Sequence, residues 1–283
     1  MSTIFEESTT RIPSATPGWE LEAWQFVPSS STSSQPPVII MAHGLGLTKS
    51  ASLRAPAERF AAEGFGVIVF DFRRFGGSAY RLLRGFKDHE LAAVIAQNAF
   101  ADGIVSSLSI SQLGVLRTMP FALYDLFRSF LPWYQPTYLK NGAPPGGLSY
   151  VSEPGYDDGI RRISNDAPDF PNEMQAYGFL AIPLYRPVAV AHKITCPLLV
   201  TVAKEDNVTP ASAALKAASR APLGESVRFE GVCHSRATVL MMLLSIELTI
   251  TTTRGGATYE AGLKEQINFL HRVFEATTND QVV

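Results

Sequence analysis

The sequence is short of cysteine, of blocks of like charge and of long apolar runs, and each shortage removes a class of protein. Two cysteines, Cys196 and Cys233, in 283 residues cannot build the disulfide framework of a small secreted domain, and a reducing compartment is the simpler expectation. Lysine and arginine total 24 against 26 acidic residues, a net charge of −2. No stretch concentrates either sign, so the basic face that nucleic-acid binding needs is missing. The longest apolar stretch, VLMMLLSI from Val239, falls far short of the roughly 20 residues that span a bilayer. The N-terminal MSTIFEESTTR lacks the basic start and apolar run of a signal peptide, and the closing NDQVV matches no peroxisomal address. These shortages predict a soluble, cytoplasmic protein with neither nucleic acid nor membrane as partner. Metals and nucleotides are not expected either. His43, His89, His192, His234 and Cys233 have no close-ligand spacing, and no Gly-rich phosphate loop follows a strand. No cofactor is expected.

What is present is an alternation of strand and helix patterns. GWELEAWQFVP (Gly18–Pro28) reads as one strand of an antiparallel N-terminal hairpin. PVIIMAHG has the continuous β-branched run of a parallel strand buried on both faces. LRAPAERFAAEG (Leu53–Gly64) places Leu53, Ala57, Phe60 and Ala61 on one helical face and stops at Gly64. FGVIVFDFR (Phe65–Arg73) is a second buried strand, completing a βαβ unit and hence a parallel sheet. LAAVIAQ (Leu91–Gln97) is a third. Residues 103–190, rich in proline, glycine and aromatics, read as an irregular, mostly helical insertion. CPLLVTVAKED, PASAALKAASRAP, SVRFEGVCH and YEAGLKEQINFLHRVFEA then give strand, helix, strand and closing helix. The implied organisation is an N-terminal core part (1–102), a helical cap insertion (103–190) and a C-terminal core part (191–283).

Four motifs lie at strand ends in a telling order: HGLG (His43–Gly46), FDFRRFGGS (Phe70–Ser78), KEDNVTP (Lys204–Pro210) and GVCH (Gly231–His234). In that order the chain resembles the α/β-hydrolase superfamily, in particular acetylxylan-esterase-like proteins and small hydrolases of fungal secondary-metabolite pathways. The resemblance implies an α/β fold with a mostly parallel sheet flanked by helices and a helical cap. It implies ester or thioester hydrolysis of a small acyl or polyketide-like substrate, the small molecule being the expected partner. His234 would be the general base and Asp206 the residue that orients it, while backbone N–H groups at Gly44 and Leu45 would form the oxyanion hole. Each residue also has a plainer reading: Asp206 as a cap for the helix at Pro210, His234 as an ordinary loop histidine, the HG pair as a simple turn.

One part of that pattern is missing. The superfamily's nucleophile sits in G-x-S-x-G, a tight strand-to-helix turn, and this chain has no such pentapeptide. RFGGSAY would offer Ser78, but Tyr80 stands where the last glycine is needed. Between the Asp71 strand and the AVIAQ strand the fold requires helix, strand and helix. At about five residues per strand and eleven per helix, with loops, that is roughly 40 residues; positions 74 to 90 supply 17. The central nucleophile strand is therefore expected to be absent, leaving the HG and AVIAQ strands to pair directly in a shrunken sheet. Other hydroxyls and thiols (Ser106, Ser107, Ser109, Ser111, Cys233) carry no mark of a nucleophile, and Asp102 is an alternative partner for His234. After His234, SRATVLMMLLSIELTITTTRG (Ser235–Gly255) is apolar and threonine-rich where a solvent-facing loop belongs. A missing block and an ill-fitting block together raise a splice variant or misjudged intron, or an inactive relative that binds a ligand without turning it over.

Overall fold

Sheet formation in this chain begins locally, with an N-terminal hairpin whose two strands pair along their whole length. A computed structural model describes residues 4–14, 20–29, 36–44, 47–50, 53–71, 73–75, 78–79, 92–110, 112–152, 160–161, 170–205, 209–233 and 257–280. The chain divides into two units. One is built on Met1–Lys87 with Arg162–Pro171 and Leu244–Gly255, the other on Asp88–Arg161, Asn172–Leu243 and Gly256–Val283.

In the first unit β1 (Phe5–Pro13) and β2 (Glu20–Pro28) form that hairpin, in register from Phe5↔Pro28 to Pro13↔Glu20. β2 also pairs antiparallel with β4 (Gly66–Phe70), and β3 (Val38–Ala42) runs parallel to β4, giving the order β1-β2-β4-β3. Helix α1 (Arg54–Ala62) buries Ala57, Phe60 and Ala61. It ends in a glycine turn: Gly64 has φ +93°, its N–H reaches Ala61 O, and the Phe65 N–H reaches Phe60 O. That pairing satisfies two end carbonyls and needs a left-handed residue, which glycine adopts freely. β4 is buried throughout most of its length, with Val67 and Val69 fully so. A short hairpin, β5 (Arg73–Phe75) with β6 (Ser78–Ala79), follows.

In the second unit β7 (Val94–Gln97), β11 (Leu198–Glu205) and β12 (Gly224–Cys233) form an all-parallel sheet in the order β12-β11-β7. β11 is the centre of its core, with Leu199, Val200 and Val202 fully buried. Helix α5 (Ala211–Arg220) lays the alanine stripe Ala213, Ala214, Ala217 and Ala218 into the same core. The small side chains bring backbones close: a Cβ built on Gly224 would lie 2.0 Å from the Ala218 carbonyl oxygen. Helix α6 (Ala257–Asp280) buries Leu263, Ile267, Phe269 and Leu270. Among its described residues the stretch from 103 to 190 holds α2 (Gly103–Ser109), α3 (Gln112–Arg128), the one-turn α4 (Gly178–Ala181) and two short 3₁₀ turns, Ile182–Leu184 and Pro187–Ala189. It also holds a three-stranded sheet, β10-β8-β9, from Tyr138–Gly142 (β8), Ser149–Val151 (β9) and Glu173–Gln175 (β10). The sequence pattern showed only the helical part of it.

One expectation about the central strands is corrected. β3 is not buried on both faces, since Val38 is 56% and Ile40 59% exposed. A parallel strand is buried by neighbours on either side and helices over its faces, and among the described residues β3 is hydrogen-bonded to β4 alone.

Candidate functional site

The turn after β3 is the best-built polar feature of the first unit. β4 ends on Phe70, and Asp71 follows with its carboxylate fully buried. That carboxylate reaches across to the segment beyond the HG turn. Its Oδ1 accepts the backbone N–H of Lys49 at 2.6 Å, and its Oδ2 accepts from Lys49 Nζ, also at 2.6 Å. The same ammonium donates to Glu22 Oε1 on β2 at 2.7 Å and lies 5.3 Å above the Trp24 ring. Burial works against the Lys49 charge, but the hydrogen bonds that its ammonium donates to Asp71 and Glu22 outweigh it and hold its pKa above the ordinary lysine value. The bond from Lys49 lowers the Glu22 carboxyl below the usual range, against a smaller opposing effect of burial.

His43 stands at the start of the turn. Its Nδ1 lies 2.9 Å from the Gly44 carbonyl oxygen. A carbonyl can only accept, so Nδ1 carries the proton there. Nε2 is 3.6 Å from Asp71 Oδ1, beyond hydrogen-bond range. Burial pushes the imidazole below its ordinary pKa, the Gly44 bond and the Asp71 charge resisting; the ring is neutral at pH 7. Gly44 O also accepts the Leu47 N–H at 3.3 Å, closing the turn. Thr48 is fully buried, and its hydroxyl has no hydrogen-bond partner. The Asp71 carboxylate holds Lys49 at two points, its backbone N–H and its ammonium. This is what a turn must have if its N–H groups are to meet developing charge without reorganising.

Of the residues expected from sequence, Gly44 lies in this turn; Leu45, Asp206 and His234 lie outside the described residues. So do Ser111 and the block Ser235–Gly255. What is described is the pair of strand ends from which Asp206 and His234 follow. β11 ends at Glu205 and β12 at Cys233, and these two residues are register partners. The ladder shifts just before them: Ala203 faces Phe229, whereas Glu205 faces Cys233. Such irregularities re-aim chain ends and recur beside active sites.

Several other hydroxyls and an acid that could stand in for the missing chemistry have structural partners. Ser78 pairs with Phe75 inside the β5–β6 hairpin. Asp102 caps α2 by accepting the Ile104 N–H at 3.1 Å and takes Arg186 in a two-pronged pair at 3.0 and 2.9 Å. The Arg186 bond holds its carboxyl below the usual range. It is a structural anion. Ser107 Oγ lies 3.3 Å from Tyr150 OH, Ser109 Oγ donates to the Val105 carbonyl, and Ser106 Oγ is buried without a partner. The Lys49–Asp71–Glu22 cluster was not foreseen. Its one sequence signal is an aspartate directly after the apolar run GVIVF, a place where a carboxylate must be partnered to be buried.

No family model matches the chain. The quorum-quenching protein AidA of Acinetobacter baumannii (strain MDR-ZJ06) is 28% identical over 281 residues, which takes in 84% of this chain and 86% of AidA. Among solved structures, the alpha/beta hydrolase GrgF from Penicillium sp. sh18 matches with a TM-score of 0.69 at 16% identity. The match covers 94% of this chain and 98% of that one. A thermophilic esterase from Thermogutta terrifontis, solved with malate bound, matches at 0.52 and 15% identity, over 94% and 99%.

Proposed function

We propose that this chain, whose fold is that of the α/β hydrolases, derives from a serine-type hydrolase of small acyl esters or thioesters. In that reading His234 is the general base, Asp206 orients it, and the turn at Gly44 and Leu45 donates to the oxyanion. The observation that carries it is the β11–β12 ladder, since Asp206 and His234 directly follow the register partners Glu205 and Cys233. Consecutive Cα atoms are only about 3.8 Å apart, so an acid and a base one residue beyond a paired position start from neighbouring strand ends. The clamp of Asp71 on Lys49 supports the oxyanion role of the turn. A polyketide-like substrate and a place in secondary metabolism rest on the family resemblance.

A second reading is favoured by β3. An apolar edge strand with Val38 and Ile40 in water is what remains when the neighbouring strand, with its nucleophile, is left out. The chain would then be an inactive variant that retains a ligand or does nothing, the working form having roughly 40 residues where this one has the 17 from 74 to 90. Two measurements separate the readings. Hydrolysis of p-nitrophenyl acetate by the purified chain, abolished by His234→Ala, supports an enzyme as it stands; equal rates in both proteins sink that reading. Transcript sequencing across positions 74–90 tests the longer form, and abundant mRNA uninterrupted there refutes it.

A further inference from the structure

Helix α3 is built inside out. Its buried positions are Gly114, Thr118, Ala122 and Asp125, a stripe of small and polar residues at three- and four-residue spacing. The opposite side of the same helix carries Leu113, Leu116, Tyr124 and Phe127, and the turns that follow it to residue 133 add Phe130 and Trp133, each of the six between 55% and 78% exposed. Half a turn of rotation would bury the leucines and aromatics, but the helix is pinned against it. The buried Asp125 carboxylate accepts from the Thr137 N–H at 2.7 Å, the Tyr134 hydroxyl at 3.0 Å and the Tyr177 N–H at 3.2 Å. The Thr118 hydroxyl bonds back to the Gly114 and Val115 carbonyls. The fold thus holds the apolar face outward through specific polar bonds.

We infer that this face is a self-association surface, on which α3 of one copy packs against α3 of a second in an isologous dimer. Area supports it. At about 200 Å² for a whole aromatic side chain, the four aromatics leave roughly 550 Å² in water, and the two leucines bring the face to roughly 700 Å². The largest apolar patch of a monomer is about 300–600 Å², whereas each partner in a standard interface contributes about 800 Å². Composition supports it too. From Ile104 to Tyr134 there is no lysine and no glutamate, and the three charged residues are Arg117, Asp125 and Arg128. Interfaces between proteins are enriched in aromatics, methionine and arginine and depleted in lysine and glutamate; a helix lying on a membrane would carry a lysine- and arginine-rich polar side. The flanking cations are already engaged, Arg117 with the Gly146 carbonyl at 2.9 Å and Arg128 over the Tyr124 ring at 5.3 Å. Both keep their charge, and arginine held in this way is a residue type that protein interfaces favour.

The test is sedimentation of the full-length chain from about 1 to 100 µM, alone and with phosphatidylcholine–phosphatidylglycerol vesicles. The expected result is a concentration-dependent species of twice the 30.8 kDa protomer mass, with no vesicle binding. The double variant Leu116→Glu/Phe127→Glu, and separately Phe130→Glu, should weaken dimerisation by more than about 100-fold and leave the far-UV circular dichroism unchanged. A monomer at 100 µM overturns the inference, as does a dimer undisturbed by both folded variants. Vesicle binding by a monomeric wild type overturns it in favour of a lipid surface. The wild-type measurement decides the matter even if a variant does not fold.

Discussion

Replacing Lys49 by methionine keeps the length of the side chain and removes its charge, which isolates the electrostatic part of the clamp. In the wild type the ammonium lies 2.6 Å from Asp71, whose side chain is fully buried, and Lys49 itself is 4% exposed. At an effective dielectric near 20 the gross attraction is about 6 kcal/mol. Most of it is offset by the desolvation of both ions, so the pair as a whole contributes little over an apolar substitute. The truncation is different: in Lys49→Met the Asp71 carboxylate remains buried without its ammonium, and breaking a pair from one side costs about 3–5 kcal/mol. That is a large part of the 5–15 kcal/mol that holds a typical domain. In Lys49→Met/Asp71→Asn no charge is stranded, and the amide oxygen still accepts the backbone N–H of residue 49. The double variant should lie within about 2 kcal/mol of wild type, a coupling of at least about 2 kcal/mol. Glu22→Gln should change stability by no more than about 1 kcal/mol, because that carboxylate is partly in water. Urea unfolding followed by tryptophan fluorescence reads this, with Trp24 as the probe beside the Lys49 ammonium, provided m stays constant across the set. A loss under about 1 kcal/mol in Lys49→Met, or effects that add to within about 0.5 kcal/mol, would refute the clamp.

Two further outcomes follow from the described contacts. The folded-state pKa of His43 is below its ordinary 6.5, so the unfolded chain binds the extra proton first. Stability should therefore fall as pH drops below about 6.5. Glu22, whose pKa is lowered, adds to that loss only nearer pH 4, as its carboxylate protonates. Thermal midpoints measured from pH 7.5 to 5 should show the decline, and His43→Gln should flatten it; an unchanged slope in the variant would exclude the imidazole as its source. Asp102→Ala removes the cap of α2 and should cost at least about 1 kcal/mol, by urea denaturation. If hydrolysis is present, its pH profile should not move, whereas a shifted profile would return Asp102 to the chemistry.

The elements legible in the sequence are those whose pattern is carried within one segment. The hairpin partner β2, helix α1 with its glycine stop, β4, β11, the alanine-striped α5 and the closing α6 were all readable, because periodicity and end signals are local. β3 was misread for a reason that is not local. VIIMA has the composition of a strand enclosed on both sides, but its enclosure depends on a neighbour that the rest of the chain must supply. β8, β9 and β10, at five, three and three residues, are too short to show a period. The ionic cluster joins positions 22, 49 and 71, brought together by sheet order, and no window along the chain contains them. Gly44 could be placed from HGLG, but that its turn is clamped could not.

The edge at β3 and the clamp beside it bear on one another. An exposed parallel edge of valine and isoleucine invites pairing with other chains, and proteins ordinarily blunt such edges with charge, proline or cover. β3 has none of these among its five residues, VIIMA. Immediately beyond it, two acidic side chains and a lysine are buried or half-buried to hold a turn, at a desolvation penalty of several kcal/mol per buried ion. The buried Thr48 hydroxyl in that turn is left without a partner, although buried polar groups are ordinarily satisfied. Among the described residues, a strand paired on one side alone, a turn held by buried charge and an orphaned hydroxyl are three separate departures from an ordinary surface. A single additional strand alongside β3 would cover the first, and a nucleophile turn at its end would give the second something to serve. The physical chemistry of this edge thus argues for the longer form independently of the residue count between 74 and 90.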